Sequence, residues 1–400
     1  MQKIIHPLAK ETINGEDIEA LIGWLRSEPR LTKGELTLQL EKKWADYIGT
    51  KYAVFCNSGS SANLLMAYAL KCKMGNLFYP GVKVVVPSVG WVTTVAPFLQ
   101  FDFGPVMVGA DPDTFGINLD QLEAECEVHP PIAVIFVQVL GVPHHRERLL
   151  ELRDKYNFWL LEDACAALGA EYSDGCKVGT VGDMSSFSFY FGHQLSTIEG
   201  GMVNTNDDEL YNILLMLRSH GWGKDLDSAS YSKLVDEHGV DDFHKPFTFF
   251  IPGFNLRATD LQAFLGLRQV DKAPWVSQRR NENHLRYAAN LRTHVKFQEW
   301  GDNKPVSISF GALAISREQR KSIVSKLVDH GIETRIFSAG NLGRHPFWIG
   351  RPHEKRATSS AHFVDYVSDA IHDFGFFLPN YPELALPEVD GICDIVRSAL

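Results

Sequence analysis

"KYAVFCNSGSSANLLMAYALKC" (residues 51–72) sets a strand, a turn and a helix in immediate succession. "KYAVFC" is a short apolar run. Small polar residues follow it, and "SSANLLMAYALKC" then carries Ala, Leu and Met at helical spacing. The same alternation runs through the first two-thirds of the chain. Upstream, "GELTLQLEKKWADYIG" (34–49) spaces Leu, Trp and Ile as a helix does. Downstream come "KVVVPS" (83–88), "PIAVIFVQVLG" (131–141), "NFWLLEDA" (157–164), "SFSFYF" (186–191) and "GMVNT" (201–205), each short, apolar and bounded by turn residues. Continuous apolar runs separated by helices mark strands covered on both faces, hence a mainly parallel sheet in an α/β fold.

After "GFNLRATDLQAFLGLRQV" (253–270) the pattern changes to a long helix, a strand "VSISFGALAI" (306–315), a helix "REQRKSIVSKLVDHG" (317–331) and a strand "IETRIF" (332–337). Residues 1–270 are therefore read as a large α/β domain, and residues 271–400 as a smaller C-terminal α+β domain. A chain of 400 residues that is 45% hydrophobic has core enough for two such lobes. Its formal net charge of −10 opposes nucleic acid or an anionic membrane as the main partner, because phosphate surfaces need clustered cations. The six cysteines are scattered, without a C-x-x-C pair or zinc-site spacing, and read as reduced cytosolic thiols. "PHHRER" (143–148) reads as a helix start rather than a metal site. The opening residues have no apolar stretch of signal-peptide length, and the expectation is a soluble cytoplasmic protein with no metal.

In a parallel α/β sheet, ligands bind beyond the carboxyl ends of the strands. Four turns are thereby singled out. In the first, Gly59, Ser60 and Ser61 stand where a strand ends and a helix begins, a place where free N–H groups cradle phosphate and also where any helix takes a serine cap. The second, "PSVGWVTTV" (87–95), puts Trp91 near a helix start, as a stacking surface or as core. In the third, "LLEDACAALGA" (160–170), an acidic pair ends an apolar strand. Such a pair is costly without a cationic partner, so Asp163 is a candidate to pair with a heterocycle nitrogen, the alternative being a simple helix cap. The fourth lies in "SSFSFYFGHQLSTIEGGMVNT" (185–205), where Ser188 and His193 follow an aromatic strand.

Taken together, these turns resemble the fold-type I pyridoxal-phosphate enzymes, and specifically the DegT-type nucleotide-sugar aminotransferase family. "NSGSSANLL" is similar to that family's phosphate turn, "GWVTTVAP" to its cofactor-stacking segment, "LLEDACAALGA" to its E-D-A segment, and "GFNLRATDLQAFLGLRQV" to its G-x-N-x-R helix. The resemblance implies an aspartate aminotransferase-like fold. It implies that Gly59, Ser60 and Ser188 hold the cofactor phosphate, that Trp91 stacks on the ring, and that Asp163 keeps the pyridine nitrogen protonated. Asn255 matches a position that reaches the phosphate of a neighbouring subunit, implying a homodimer with shared sites.

One departure redirects the reading. The family's cofactor-binding lysine stands six residues before the Glu of E-G-G, and here that position is His193. Histidine there resembles the family's 3-dehydratase subgroup, which removes the carbon 3 hydroxyl of nucleotide-linked 4-keto-6-deoxy sugars. Imidazole moves protons near neutral pH but forms no stable imine, so the pyridoxal or pyridoxamine phosphate is expected to be held non-covalently, with L-glutamate as amino donor. "LRSHGWGKDLD" and "FHKPFTFFIPGFN" resemble the subgroup's active-site loops, which makes His220, Lys224 and Phe247 substrate-pocket candidates. No iron–sulfur cluster is expected, since only Cys165 and Cys176 lie between Asp163 and His193. Ala166 stands where relatives carry a polar or acidic residue. An ordinary aminotransferase and a catalytically silent binding protein are the competing readings.

Overall fold

Two sheets organise the chain, and the larger one carries the turns singled out above. The computed structural model describes residues 4–349 and 364–400. Strands β1 (Tyr52–Cys56), β2 (Lys83–Pro87), β3 (Gly104–Val108), β4 (Ala133–Val137), β5 (Trp159–Asp163), β6 (Met184–Ser188) and β7 (Gly201–Thr205) form one sheet in the order β1-β7-β6-β5-β4-β2-β3. All neighbours run parallel except β7, which is antiparallel to both β1 and β6. Alternate residues feed two separate cores. Phe55, Val85, Val134, Leu160 and Phe187 pack on one face, and Val54, Val84, Ile135, Leu161 and Met184 on the other. The unbroken apolar runs of the sequence follow from this double coverage.

The phosphate-turn strand is fixed from below by a buried ion pair. Arg218, fully buried, pairs with Glu41 and donates to the Phe55 carbonyl at 2.9 Å, while the Phe55 N–H donates to Glu41 at 2.8 Å. Each charge is thus neutralised and hydrogen-bonded, the condition under which burial is tolerated. Immediately after β1, the Asn57 N–H donates to the Leu256 carbonyl at 2.9 Å, which ties the turn to a distant loop.

The second sheet is β10-β9-β8, with β8 Lys296–Phe297, β9 Ser309–Leu313 and β10 Gly375–Pro379, antiparallel throughout. The helix Asp260–Leu291 runs through residue 270 without a break, so no linker falls at the expected boundary. The expected strand 332–337 does not form. The Phe377 N–H donates to the Arg335 carbonyl, but the Phe377 carbonyl, which would continue a ladder, accepts the Thr334 hydroxyl at 2.7 Å instead. The segment therefore lies beside β10 as an irregular edge, with Glu333 and Arg335 on the wall of a cavity.

Two histidines are buried in this framework. His144 bonds Thr114 through Nδ1, and burial pushes its pKa down to about 4. His284 bonds Ser307 between Trp300 and Phe310 and is pushed down to about 3. In the unfolded chain both take a proton near pH 6.5. The stability they contribute is thus complete above that pH and is lost as pH falls toward 4, at up to about 1.4 kcal/mol per histidine for each pH unit. Urea midpoints are expected to drop between pH 6.5 and 5, with a shallower drop in His284→Asn; an identical slope in that variant would contradict the assignment.

Candidate active site

Turns after β1, β2, β5 and β6 open onto one cavity of about 590 Å³. Gly59, Ser60, Trp91, Asp163, Ser188 and His193 all line it. The second lobe closes it with Ile308, Ser309, Glu333, Arg335 and Phe377, and Leu8 and Ala9 complete the wall. The N-terminal segment is moored to that lobe by the Leu8 N–H, which donates to Glu333 at 2.8 Å, and by His6, which bonds the Tyr381 hydroxyl.

At the phosphate turn the cap of the helix Gly59–Met74 is Ser58, whose hydroxyl accepts the Ser61 N–H at 3.0 Å. Among the described residues the N–H groups of Gly59 and Ser60 have no partner, and they stand at the positive end of a sixteen-residue helix. Gly59 is required for space. A Cβ there would stand 2.5 Å from the Ser188 Cβ and 3.1 Å from the Cys165 sulfur.

Strand β5 ends in two carboxylates with opposite surroundings. Glu162 points away from the cavity into a ring of donors: Gln138 at 2.8 Å and the N–H groups of Gly179 and Val181 at 2.8 and 3.0 Å. Burial raises its pKa against those bonds. Asp163 faces the cavity. It is 3% exposed and receives only neutral donors: Asn63 at 2.9 Å, Thr94 at 2.6 Å and the Cys165 N–H at 3.1 Å. Asn63 is itself oriented by the Ser186 hydroxyl at 2.6 Å. Among the described residues no cation pairs with Asp163, so a buried carboxylate is left asking for a positive partner from within the cavity.

Trp91 is 49% exposed, on the cavity wall and not in the core. The Arg335 guanidinium lies 5.9 Å from its ring and 5.1 Å from that of Phe377. His193 sits in a turn, its N–H donating to the Tyr190 carbonyl at 2.9 Å, and its Nδ1 is buried without a hydrogen-bond partner among the described residues. Desolvation pushes its pKa down to about 4, with the charges of Arg280 and Arg335 acting in the same direction. The imidazole is therefore neutral at pH 7. No lysine lines the cavity among the described residues, and the Lys177 ammonium lies over the Tyr47 ring. Ala166 lines the cavity, with its carbonyl held by Gln194 at 2.6 Å.

The remaining sequence candidates gather elsewhere. Asn255, His220, Lys224 and Phe247 are not on the cavity wall; His220, Lys224 and Phe247 contact Trp222, and Asn255 is joined to the same loops through Ser219. Ser219 bridges Asn255, the Lys224 ammonium lies 4.3 Å from the Trp222 ring, and His220 and Phe247 contact that ring edge-on. His220 has φ of 63°, a strained conformation for a histidine, next to Gly221 at 88°. Asn63, Thr94, Glu333 and Arg335 are the site residues that sequence reading missed. The first two follow from helical spacing after the turns; the last two come from the irregular edge and carry no local signal.

The cavity suits pyridoxal phosphate. It offers free N–H groups and a hydroxyl at a helix start for the phosphate, a half-exposed indole for the ring, an unpaired carboxylate for the pyridine nitrogen, and an unpartnered imidazole.

Comparison with known proteins gives the family. The chain is 34% identical over 351 residues to GDP-4-keto-6-deoxy-D-mannose 3-dehydratase of Yersinia pseudotuberculosis, covering 86% of this chain and 87% of the relative. A solved structure of the Escherichia coli GDP-4-keto-6-deoxy-D-mannose 3-dehydratase with bound hydrated PLP superposes with a TM-score of 0.88 at 28% identity, covering 99% of this chain and all of that one. A GDP-4-keto-6-deoxymannose 3-dehydratase structure with a trapped PLP-glutamate geminal diamine gives a TM-score of 0.86 at 28% identity, over 98% of this chain and all of that one. Residues 11–397 match the DegT/DnrJ/EryC1/StrS aminotransferase family, and the chain belongs to it.

Proposed function

We propose that this chain is a pyridoxal-phosphate-dependent 3-dehydratase acting on a nucleotide-linked 4-keto-6-deoxyhexose, with L-glutamate as amino donor and ammonia released, in deoxysugar biosynthesis in the cytoplasm. The observation that carries this reading is His193, a neutral imidazole on the wall of a cavity that no lysine lines among the described residues. A base that cannot bond the cofactor covalently suits elimination better than ordinary amino transfer.

When bound, the cofactor supplies an electron sink that lets a proton and then a neighbouring hydroxyl depart. Gly59 and Ser60 offer main-chain N–H groups, and Ser188 its hydroxyl, to the phosphate. Trp91 provides the stacking face. Asp163 accepts the N–H of the pyridine ring and keeps that proton in place, with Asn63 and Thr94 fixing its orientation. His193 takes a proton at a ring nitrogen and returns it. Leu8, Ala9 and Phe377 bring apolar surface to the wall and restrict water.

The Trp222 cluster supports a homodimer. Asn255, His220, Lys224 and Phe247 are assembled on strained, partly exposed loops away from their own cavity, a placement that suits a site shared with a second copy. The GDP-linked sugar of the relatives is the first substrate to try, with the other nucleotides beside it because Ala166 leaves the cavity without a polar group at that point.

The test is incubation with glutamate and GDP-, dTDP-, CDP- and UDP-linked 4-keto-6-deoxy sugars, followed by mass analysis. Loss of one oxygen from one sugar is expected. Gain of an amine would favour the aminotransferase, and an unchanged panel the silent binding protein. Borohydride should leave no cofactor on the chain; a reduced lysine adduct would overturn non-covalent binding.

A further inference from the structure

Arg280 reaches the His193 turn with its guanidinium. It projects from the helix Asp260–Leu291, is 1% exposed, and makes no ion pair within 4 Å among the described residues, the Glu383 carboxylate acting on it only from farther away. Its two terminal nitrogens are spent on main-chain carbonyls, and its buried Nε has no hydrogen-bond partner among the described residues. One terminal nitrogen donates to His193 at 3.2 Å; the other donates to Ile308 at 2.9 Å, to Ser307 at 3.4 Å and to Asn380. His193 belongs to the large lobe, whereas Ser307, Ile308 and Asn380 border β9 and β10 of the second sheet. The next residue repeats the connection. Gln194 donates to the Ala166 carbonyl at 2.6 Å and to the Val306 carbonyl at 2.8 Å.

A buried guanidinium without a carboxylate is costly and is retained only where its geometry matters. We propose that Arg280 is a positioning residue, which locks the peptide of His193 to the second lobe and so fixes the imidazole against the reacting atoms. The inference rests on the dehydratase reading for its role in turnover. Its fork suits the task, because a planar donor set serves several carbonyls at fixed angles whereas an ammonium does not. The positive charge adds a second effect. Arg280 and Arg335 both disfavour protonation of His193, and the other ionisable groups on the cavity wall are Tyr190, Glu199, Glu333, Asp163 and Cys165.

Arg280→Lys and Arg280→Met, both as holoenzyme, separate the two effects. The first readout is the pH titration of the His193 ring nitrogens by NMR of 15N-histidine-labelled protein, assigned by the signal missing in His193→Asn. The midpoint is expected to rise by about half a unit or more in Arg280→Met and to stay in place in Arg280→Lys. The second is turnover: kcat should fall between about tenfold and a hundredfold in both, with KM nearly unchanged. A folded Arg280→Met with the wild-type midpoint and kcat would overturn the proposal. If that variant does not fold, Arg280→Lys decides: wild-type kcat overturns the proposal, and a reduced kcat at unchanged KM supports it. A wild-type enzyme inactive on every sugar would sink the dehydratase reading alone, because the titration still reports on Arg280.

Discussion

His193→Asn lowers glutamate-supported dehydration by about a hundredfold to ten-thousandfold, the usual cost of losing a general base, while cofactor affinity stays within a few-fold of wild type. Asparagine keeps a polar side chain of similar reach and loses the ability to take up a proton. The groups proposed to hold the cofactor, Gly59, Ser60, Ser188, Trp91 and Asp163, are untouched. Turnover and a spectroscopic titration with pyridoxal phosphate separate the two quantities. Wild-type turnover in the variant would place the base elsewhere. The pH profile adds a second check. With its pKa held near 4, His193 stays neutral down to about pH 5, so its acid limb falls well below the 6.5 of a free imidazole.

Asp163→Asn acts with opposite sign on the empty and the loaded protein. In the loaded protein the carboxylate has gained its cationic partner, and neutralising it removes a buried charge pair worth roughly 3–5 kcal/mol, about a hundredfold to a thousandfold or more in cofactor affinity or turnover. In the empty protein the same change relieves a carboxylate that is 3% exposed and served only by Asn63, Thr94 and a main-chain N–H. Melting of the apo-variant is therefore expected at or above the wild-type temperature, and melting of the cofactor-saturated variant below it. Equal cofactor affinity in variant and wild type would remove Asp163 from the site.

The large sheet was legible because each strand is apolar on both faces, a pattern that only double coverage produces, and four of its turns reach one cavity as the strand-end rule requires. The direction of β7 was not legible. A five-residue apolar strand reads the same either way, and only its neighbours β1 and β6 fix it as antiparallel. "IETRIF" has the composition of a strand, but Thr334 spends a hydroxyl on the carbonyl that pairing would need. That local exchange also takes Glu333 and Arg335 to the cavity wall, which is why neither was foreseen. Asn255, His220, Lys224 and Phe247 are named from resemblance alone, and within one chain the last three contact Trp222 while Asn255 pairs with Ser219.

The end of β5 has a consequence for how this protein tolerates change. Glu162 and Asp163 are adjacent in sequence and opposite in facing, one knitting the 179–182 turn and the other addressing the cavity. Strand geometry makes their jobs a matter of parity. Substituting Leu160 or Leu161 by another apolar residue leaves the parity intact. Deleting either one reverses it, turning the Glu162 side chain away from the 179–182 turn and setting Asp163 toward it. This strand therefore behaves like a reading frame: permissive to spelling, intolerant of a one-letter shift.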